Sequence, residues 1–180
     1  IRIDGTYRML SVPGLYEMGM NYGKWFYKIK TDVLTVVSYT AADSPDLILE
    51  IHSEQGIAYD IILTTQLSGG VNEYESDITC EEIPHGLHFD MANELYPHLS
   101  YDILFPEQNF TLSNDRIFYQ NKLAWDETFL TFAFQNEASL KMVIRGHLDE
   151  DAEITIPSYR FEEEKNACTR YYNDLTRQFH

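Results

Sequence analysis

The chain has 180 residues, which is enough for one domain with a sizeable hydrophobic core. Its 29 acidic and 13 basic residues give a formal net charge of −16, which disfavours nucleic acid and anionic membranes as partners because both are negatively charged. Hydrophobic residues make up 44% of the chain, an ordinary globular share, and no apolar run is long enough to predict a membrane span.

The first third of the sequence predicts short strands separated by turns such as Pro13-Gly14. Residues 24–30 alternate in polarity, as expected of a strand with one buried face. Residues 32–40 have apolar side chains at both odd-numbered and even-numbered positions, which predicts a strand buried on both faces. The predicted strands of this part are 6–11, 15–18, 24–30, 32–40, 47–52 and 57–67.

The remaining two thirds predict further strands and one change of pattern. Residues 129–134 and 139–145 are strongly strand-like, and residues 135–138 between them indicate a hairpin loop. About a dozen strands with no strand–helix alternation predict an all-β sandwich of two large antiparallel sheets. The other predicted strands are 75–80, 86–90, 100–105, 109–113, 116–119 and 153–156.

The stretch 158–180 has helical rather than strand periodicity. Ser158 is predicted to cap the helix, and the acidic start and basic end suit the helix dipole. The pattern runs to the last residue without a stop signal, so we expect a piece of a longer protein, with a β domain over 1–157 and a linker helix over 158–180. The residues predicted to share the apolar side are Phe161, Cys168, Tyr172, Leu175 and Phe179.

Candidate chemistry is sparse. His85, His88 and Asp90 could ligate a metal, but on a strand His88 and Asp90 share a face and His85 does not, so a site would need a turn at Gly86. No phosphate-binding glycine loop and no nucleophile motif is present, so we predict no cofactor and no catalytic residue. The two cysteines predict no disulfide framework, and with no visible signal peptide we expect a cytoplasmic protein.

Two tryptophans could stack on a sugar ring. Trp25 alternates with core-type residues, which favours a structural role. Trp125 lies among polar residues and is the better candidate for carbohydrate binding, although a core position is the alternative.

Two segments resemble a known family. The run Asn21-Tyr22-Gly23-Lys24-Trp25-Phe26-Tyr27 is similar to the opening of the amino-terminal domain in the cellobiose phosphorylase family of inverting glycoside phosphorylases. The segment from Phe161–Lys165 through Tyr171–Leu175 resembles the linker that follows that domain. The resemblance implies a β-supersandwich of the galactose mutarotase type, followed by linker helices, an (α/α)₆ catalytic barrel and a small jelly roll.

The same resemblance implies that the general acid and the phosphate-binding residues lie in the barrel, so none of them is carried onto this chain. It also implies a homodimer in which this domain lies near the partner's active site. Segments 84–88 and 121–127 would then shape access of a carbohydrate acceptor, with His85, His88 and Trp125 as the candidate carbohydrate-binding residues.

Three hypotheses therefore remain at this point. The first is a non-catalytic domain of a carbohydrate-active enzyme resembling glycoside phosphorylases. The second is a free-standing carbohydrate-binding module, motivated by the aromatic content. The third is a mutarotase-like sugar epimerase, in which His85 or His88 would act with a glutamate that the sequence does not identify.

Overall fold

The computed structural model describes residues 1–66, 79–91, 97–114, 117, 129–147 and 156–178. This part of the chain contains strands and one helix, and all of its strand pairings are antiparallel. None of its helices is long and apolar enough to cross a membrane. The elements are β1 (Arg2–Ile3), β2 (Thr6–Tyr7), β3 (Leu15–Met18), β4 (Tyr22–Ile29), β5 (Asp32–Thr40), β6 (Asp46–Ser53), β7 (Tyr59–Gln66), β8 (Thr79–Ile83), β9 (Gly86–Asp90), β10 (Ser100–Leu104), β11 (Thr111–Asn114), β12 (Phe129–Glu137), β13 (Ser139–His147) and α1 (Phe161–Gln178).

Two sheets form the body of the sandwich, and the predicted mainly β, antiparallel fold with one helix near the end of the chain is confirmed. The larger sheet has eight strands in the order β3-β4-β5-β6-β13-β10-β9-β8, and the smaller one has the order β11-β12-β7. Within the described residues the second sheet is therefore much smaller than predicted. A separate hairpin pairs β1 with β2.

Strand β5 of the eight-stranded sheet is buried on both faces, as predicted for residues 32–40. On β5, Leu34 packs into the inner core between the sheets, whereas Val37 and Tyr39 belong to a second apolar cluster on the outer face. The smaller sheet contributes Phe132 and Phe134, whose rings each lie 4.9 Å from that of Phe105. Burial of each such side chain contributes about 1.5–3 kcal/mol, so the inner core is the main source of stability.

The hairpin predicted over residues 135–138 is wrong. Strand β12 pairs with β7 and β11, whereas β13 pairs with β6 and β10, so the chain passes from one sheet to the other at this point. The pairing of β12 with β7 is irregular between Phe134 and Glu137, and Asn136 has a positive φ of 58°. A bulge of this kind redirects a strand, which is how a short connection can change sheets.

The first predicted strand is also wrong in part. Only Thr6–Tyr7 of residues 6–11 is a strand, and it pairs back on Arg2–Ile3. Asp4 and Gly5, with φ of 50° and 79°, form the two-residue turn between them. Such turns require positive φ at both positions, which Asp and Gly tolerate.

The helix begins later than predicted. It starts at Phe161, and the carbonyl of Arg160 accepts hydrogen bonds from the backbone of Glu163 and Glu164, so Ser158 is not the cap. The predicted acidic first turn and the basic Arg177 in the last turn are present. Phe161 packs edge-on against Tyr22 and Tyr39 of the outer face, with ring centroids 5.0 and 5.4 Å apart, and Cys168 is buried as expected.

A buried ion pair fixes the segment before the helix to the sheet. The Asp46 carboxylate, fully buried on β6, accepts hydrogen bonds from Nε and Nη2 of Arg145 at 2.9 and 2.7 Å. It also accepts a 2.6 Å bond from the Tyr159 hydroxyl, and the Lys141 ammonium donates to the Tyr159 carbonyl. We call Asp46, Arg145 and Tyr159 the outer clamp, because they join β6, β13 and the approach to α1.

A second buried carboxylate, Asp32 at the start of β5, organises the corner where β6 ends and β7 begins. It accepts hydrogen bonds from the Ser53 and Tyr59 hydroxyls at 2.7 and 2.8 Å and from the backbone of Val33 and Gln55. Burial favours the neutral acid, but these four bonds outweigh it and lower the pKa of Asp32. Burial and the bond to Asp32 in turn raise the pKa of Tyr59 to about 12.

Several predicted features lie outside the described residues. They are the strand 116–119 apart from Ile117, most of the strand 153–156, Trp125 with the segment 121–127, and Phe179. The strand predicted at 75–80 is described only from Thr79, and it continues to Ile83.

We expect Arg145→Met to lower the free energy of unfolding by about 3–5 kcal/mol, because it leaves the buried Asp46 carboxylate without its countercharge. The matched control is Arg160→Met, whose ion pair with Glu163 spans 3.3 Å and is exposed, so its loss should cost less than about 1 kcal/mol. Urea unfolding of both variants measures the difference. An equal loss of unfolding free energy in the two variants would contradict the stabilising role of the outer clamp.

Stability should fall in acid because of Asp46 and Asp32. Burial opposes ionisation of Asp46, but Arg145 and Tyr159 lower its pKa, and the pKa of Asp32 is lowered as well. Since both folded-state pKa values lie below the ordinary value of about 4, their contribution is present above that pH and is lost as pH falls through the lowered values. Urea midpoints from pH 7 down to 2 test this, and Asp46→Asn should flatten part of the decline.

Candidate functional site

A buried cluster of one aspartate and two histidines lies on the outer face of the eight-stranded sheet. Asp102 of β10 is fully buried, and its two carboxylate oxygens contact two histidines. Oδ1 lies 2.6 Å from Nδ1 of His88, and Oδ2 lies 2.8 Å from Nε2 of His147. An ionised carboxylate only accepts hydrogen bonds, so both ring nitrogens donate to Asp102 when it is charged. We call these three residues the His–Asp–His relay.

Strand register brings the relay together. Asp102 pairs directly with His88 on β9, and His147 pairs with Ser100, two residues along β10 on the same face. Side chains alternate along a strand, so the apolar neighbours of Asp102 and His88 turn to the inner core while the polar residues turn outward. The neighbours that enter the inner core are Leu87, Phe89, Tyr101 and Ile103.

A tight turn sets this register. Pro84 and His85 connect β8 to β9, and His85 adopts a positive φ of 65°. Its carbonyl accepts a 2.7 Å hydrogen bond from the backbone of Phe105. The next residue must be glycine, because a Cβ on Gly86 would lie 2.0 Å from the carbonyl oxygen of Ile103.

The relay opens to solvent only through His88. The side chain of His88 is 29% exposed, whereas those of His147 and Asp102 are 7% and 0% exposed. His88 lines a cavity of about 300 Å³ together with Cys80, Glu81 and Asp90. Glu81 stands directly opposite His88 in the β8–β9 pairing. With Nδ1 bound to Asp102, Nε2 of His88 is the ring nitrogen available to a ligand.

The structure separates the predicted site residues. His88 and Asp90 line one cavity, as their shared strand face predicted, but the exposed His85 lines another cavity of about 320 Å³ beside Gln108 and Phe110. The turn therefore does not bring His85 into a three-ligand site, and no cluster of three His, Cys, Asp or Glu side chains suited to a metal occurs among the described residues. Trp125 lies outside them.

Sequence reasoning missed Asp102 and His147. The one available signal was a charged residue inside an otherwise apolar strand, since Asp102 stands between Tyr101 and Ile103. A buried charge needs a partner, but the pattern does not say which residue supplies it. His147 is 45 residues away in the chain.

Comparison with known proteins identifies the family. A family model described as the glycoside phosphorylase supersandwich domain matches residues 1–146. The chain belongs to this family. The expected resemblance to glycoside phosphorylases is thereby confirmed, and so is the supersandwich fold. The matched region contains His88 and Asp102 and ends one residue before His147.

One curated relative of this supersandwich domain is the 1,2-beta-oligoglucan phosphorylase of Listeria innocua. The two sequences are 27% identical over 186 residues, and the alignment covers all of this chain but 17% of the relative. The supersandwich domain thus corresponds to a small part of that phosphorylase.

We expect Asp102→Asn to destabilise the supersandwich domain by about 1–3 kcal/mol, because an amide offers one acceptor and one donor group in place of the two acceptor oxygens that contact the two rings. The exposed Asp174→Asn on α1 is the control and should change the unfolding free energy by less than about 0.5 kcal/mol. Urea unfolding measures both. An unchanged midpoint for Asp102→Asn would show that the relay is not formed as described.

Proposed function

We propose that this chain is the non-catalytic supersandwich domain of a glycoside phosphorylase-like protein and that it supports a catalytic part elsewhere in that protein. The family match and the phosphorylase relative support this proposal. The share of the relative that the chain covers also supports it, because 17% of that phosphorylase leaves most of its length to other domains.

The observation that carries the proposal is the uneven burial of α1. Its first turn is held by Phe161 against the outer face and by the Glu164 carboxylate, which accepts a 2.8 Å hydrogen bond from the backbone of Ala42. Its second half presents Tyr171 and Tyr172, which are 62% and 47% exposed and lie edge-on to each other at 5.4 Å. Exposed paired aromatic rings suit a contact with another domain, so we propose that this end of α1 docks on the catalytic part.

A phosphorolysis assay tests this role. Release of glucose 1-phosphate from a 1,2-β-linked oligoglucan and phosphate should be seen with the full-length protein and not with the 180-residue chain. In the full-length protein, Tyr171→Ser with Tyr172→Ser should lower activity or thermal stability, because the docking contact loses two aromatic side chains. The same pair should leave the urea midpoint of the 180-residue chain nearly unchanged.

The matched control is Asn173→Ser, a neighbouring substitution at an exposed polar position of the helix. Phosphorolysis by the isolated chain would overturn the non-catalytic role. If the tyrosine double substitution changes neither the activity nor the thermal stability of the full-length protein, the docking role is overturned. The non-catalytic role would then still stand.

We also propose that the domain contacts carbohydrate, as the sequence suggested for His85, His88 and Trp125. For His88 the support is its position in an open cavity beside Glu81 and Asp90, since sugar hydroxyls donate readily to imidazole and carboxylate acceptors. Saturation-transfer NMR with a 1,2-β-linked oligoglucan should detect contact with the 180-residue chain at millimolar concentration.

A homodimer is the proposed assembly, and β3 supports it. This edge strand pairs only with β4 among the described strands, and all four of its residues are exposed. Leu15, Tyr16 and Met18 are 64–66% exposed, an apolar edge of the kind that pairs with a second chain. Light scattering should report the mass of a dimer. The double substitution Tyr16→Lys with Met18→Lys should convert it to a monomer, whereas the control Arg177→Lys should leave the dimer intact.

A further inference from the structure

We propose that the edge of β7 receives a β-strand from another part of the same protein, outside these 180 residues. The strand would extend the smaller sheet over a cavity on the inner face, which is the face of the eight-stranded sheet that looks toward the smaller one. This proposal rests on the proposed place of the chain within a larger phosphorylase-like protein. It requires a strand with apolar side chains on one face and a carboxylate near Arg8.

The cavity beside β7 has a volume of about 340 Å³. Residues 61–64 of β7 form one wall, and residues 7–10, which run on from the first hairpin, form another. The floor is the inner face of the eight-stranded sheet, and it is almost wholly apolar. The floor residues are Tyr27, Val36, Leu49 and Ile51.

Both walls present backbone groups without a partner in the described part of the chain. Among the described strands β7 pairs only with β12, so alternate N–H and C=O groups of residues 61–64 point away from β12. The backbone of Met9 and Leu10 makes no hydrogen bond to the described residues. A strand supplies N–H and C=O groups at the spacing that such walls require, whereas a small molecule does not. The walls therefore favour a polypeptide strand as the occupant.

The first hairpin shows the path that such a strand would follow. Strand β1 lies beside one end of β7, where Arg2 forms an ion pair with Asp60 at 3.4 Å and Ile1 is buried. The chain then turns back at Asp4 and Gly5, so β1 does not continue beside residues 61–64. An added strand would continue along β7 from the place where β1 turns away.

The unequal size of the two sheets indicates where the strand comes from. Eight strands face three, and the cavity floor at Val36 and Leu49 is only half-buried. Met9, which lines the cavity, is 87% exposed. Apolar surface of this kind on a domain is typical of a contact with another part of the protein. The chain corresponds to 17% of its phosphorylase relative, so a larger protein of that kind has ample polypeptide to supply one strand.

Arg8 sets the charge that the strand should carry. Its exposed side chain lines the cavity, and no carboxylate is among the other described residues that line it. A carboxylate on the incoming strand would pair with the guanidinium. Because exposed ion pairs contribute little free energy, this pair would fix the register of the strand rather than its affinity.

Hydrogen exchange in the full-length protein and in the 180-residue chain tests the proposal. We expect the amides of residues 59–66 to exchange at least about tenfold more slowly in the full-length protein, because the edge of β7 gains hydrogen-bond partners there. Residues 32–40 in the middle of the eight-stranded sheet are the internal control and should slow much less. Equal exchange of residues 59–66 in the two proteins would overturn the proposal.

A photo-crosslink identifies the occupant. We replace Met9 by p-benzoylphenylalanine in the full-length protein, mix ¹⁴N-labelled and ¹⁵N-labelled copies, and irradiate the mixture. The crosslinked peptide should come from the same protein outside the 180 residues, and both crosslinked peptides should carry the same label. A crosslink to another of the 180 residues, or one that joins the two labels and so reveals a second copy, would overturn the proposal.

Filling the cavity tests its position. Leu49→Trp in the full-length protein should exclude the strand, so that residues 59–66 exchange as fast as in the 180-residue chain. Leu47→Trp is the matched control, because it lies on the same face of β6 but does not line the cavity, and it should leave the slow exchange unchanged. If the two variants have the same effect, the proposed position is wrong. If circular dichroism shows that Leu49→Trp does not fold, the exchange of the unsubstituted protein and the crosslink still decide the question.

The phosphorolysis assay judges the proposed function separately. Phosphorolysis by the isolated chain would overturn the non-catalytic role without changing which peptide is crosslinked to residue 9. Conversely, equal exchange of residues 59–66 in the two proteins would remove the added strand and leave the non-catalytic role standing.

Discussion

The structure depends on one constraint, which is that the outer face of the eight-stranded sheet buries carboxylates that must be paired. Asp46 and Asp102 are 1% and 0% exposed, yet each lies in a sheet whose other face is a hydrophobic core. A buried carboxylate without partners would be strongly destabilising. Arg145 and Tyr159 satisfy the first, and two histidines satisfy the second. These pairings fix strands β6, β10 and β13 relative to one another.

The two carboxylates have different consequences because their partners differ. Asp46 is paired with a guanidinium and a hydroxyl from the segment before α1, so it holds the helix onto the sheet. Asp102 is paired with imidazoles, one of which reaches a cavity. A guanidinium is always charged and serves here to hold a buried carboxylate in place. A histidine that contacts a carboxylate through one ring nitrogen still has a second ring nitrogen that can contact a ligand. The same face therefore carries both the attachment of the helix and the candidate binding site.

The two halves of helix α1 differ in how much they are buried. Phe161 and Cys168 contribute to packing on this domain, but Tyr171 and Tyr172 are left at the surface. In proteins most of the stability of a helix comes from packing of its apolar face, and Phe161 and Cys168 supply that packing here. The first turns therefore anchor α1, and Tyr171 and Tyr172 stay exposed on its second half.

The sequence by itself determined most of the described strands and the body of the helix, because alternation of two and periodicity of 3.6 are local properties of neighbouring residues. Residues 32–40 and 86–90 match their strands from end to end, and the polarity of its segment made His88 a candidate. Only the tertiary structure decided that β12 and β13 enter different sheets, and that His88 and His147 meet at Asp102 across 14 and 45 residues of chain. Strand order and register depend on which distant strands bury one another, and the partner of a buried charge follows from that register rather than from any local pattern.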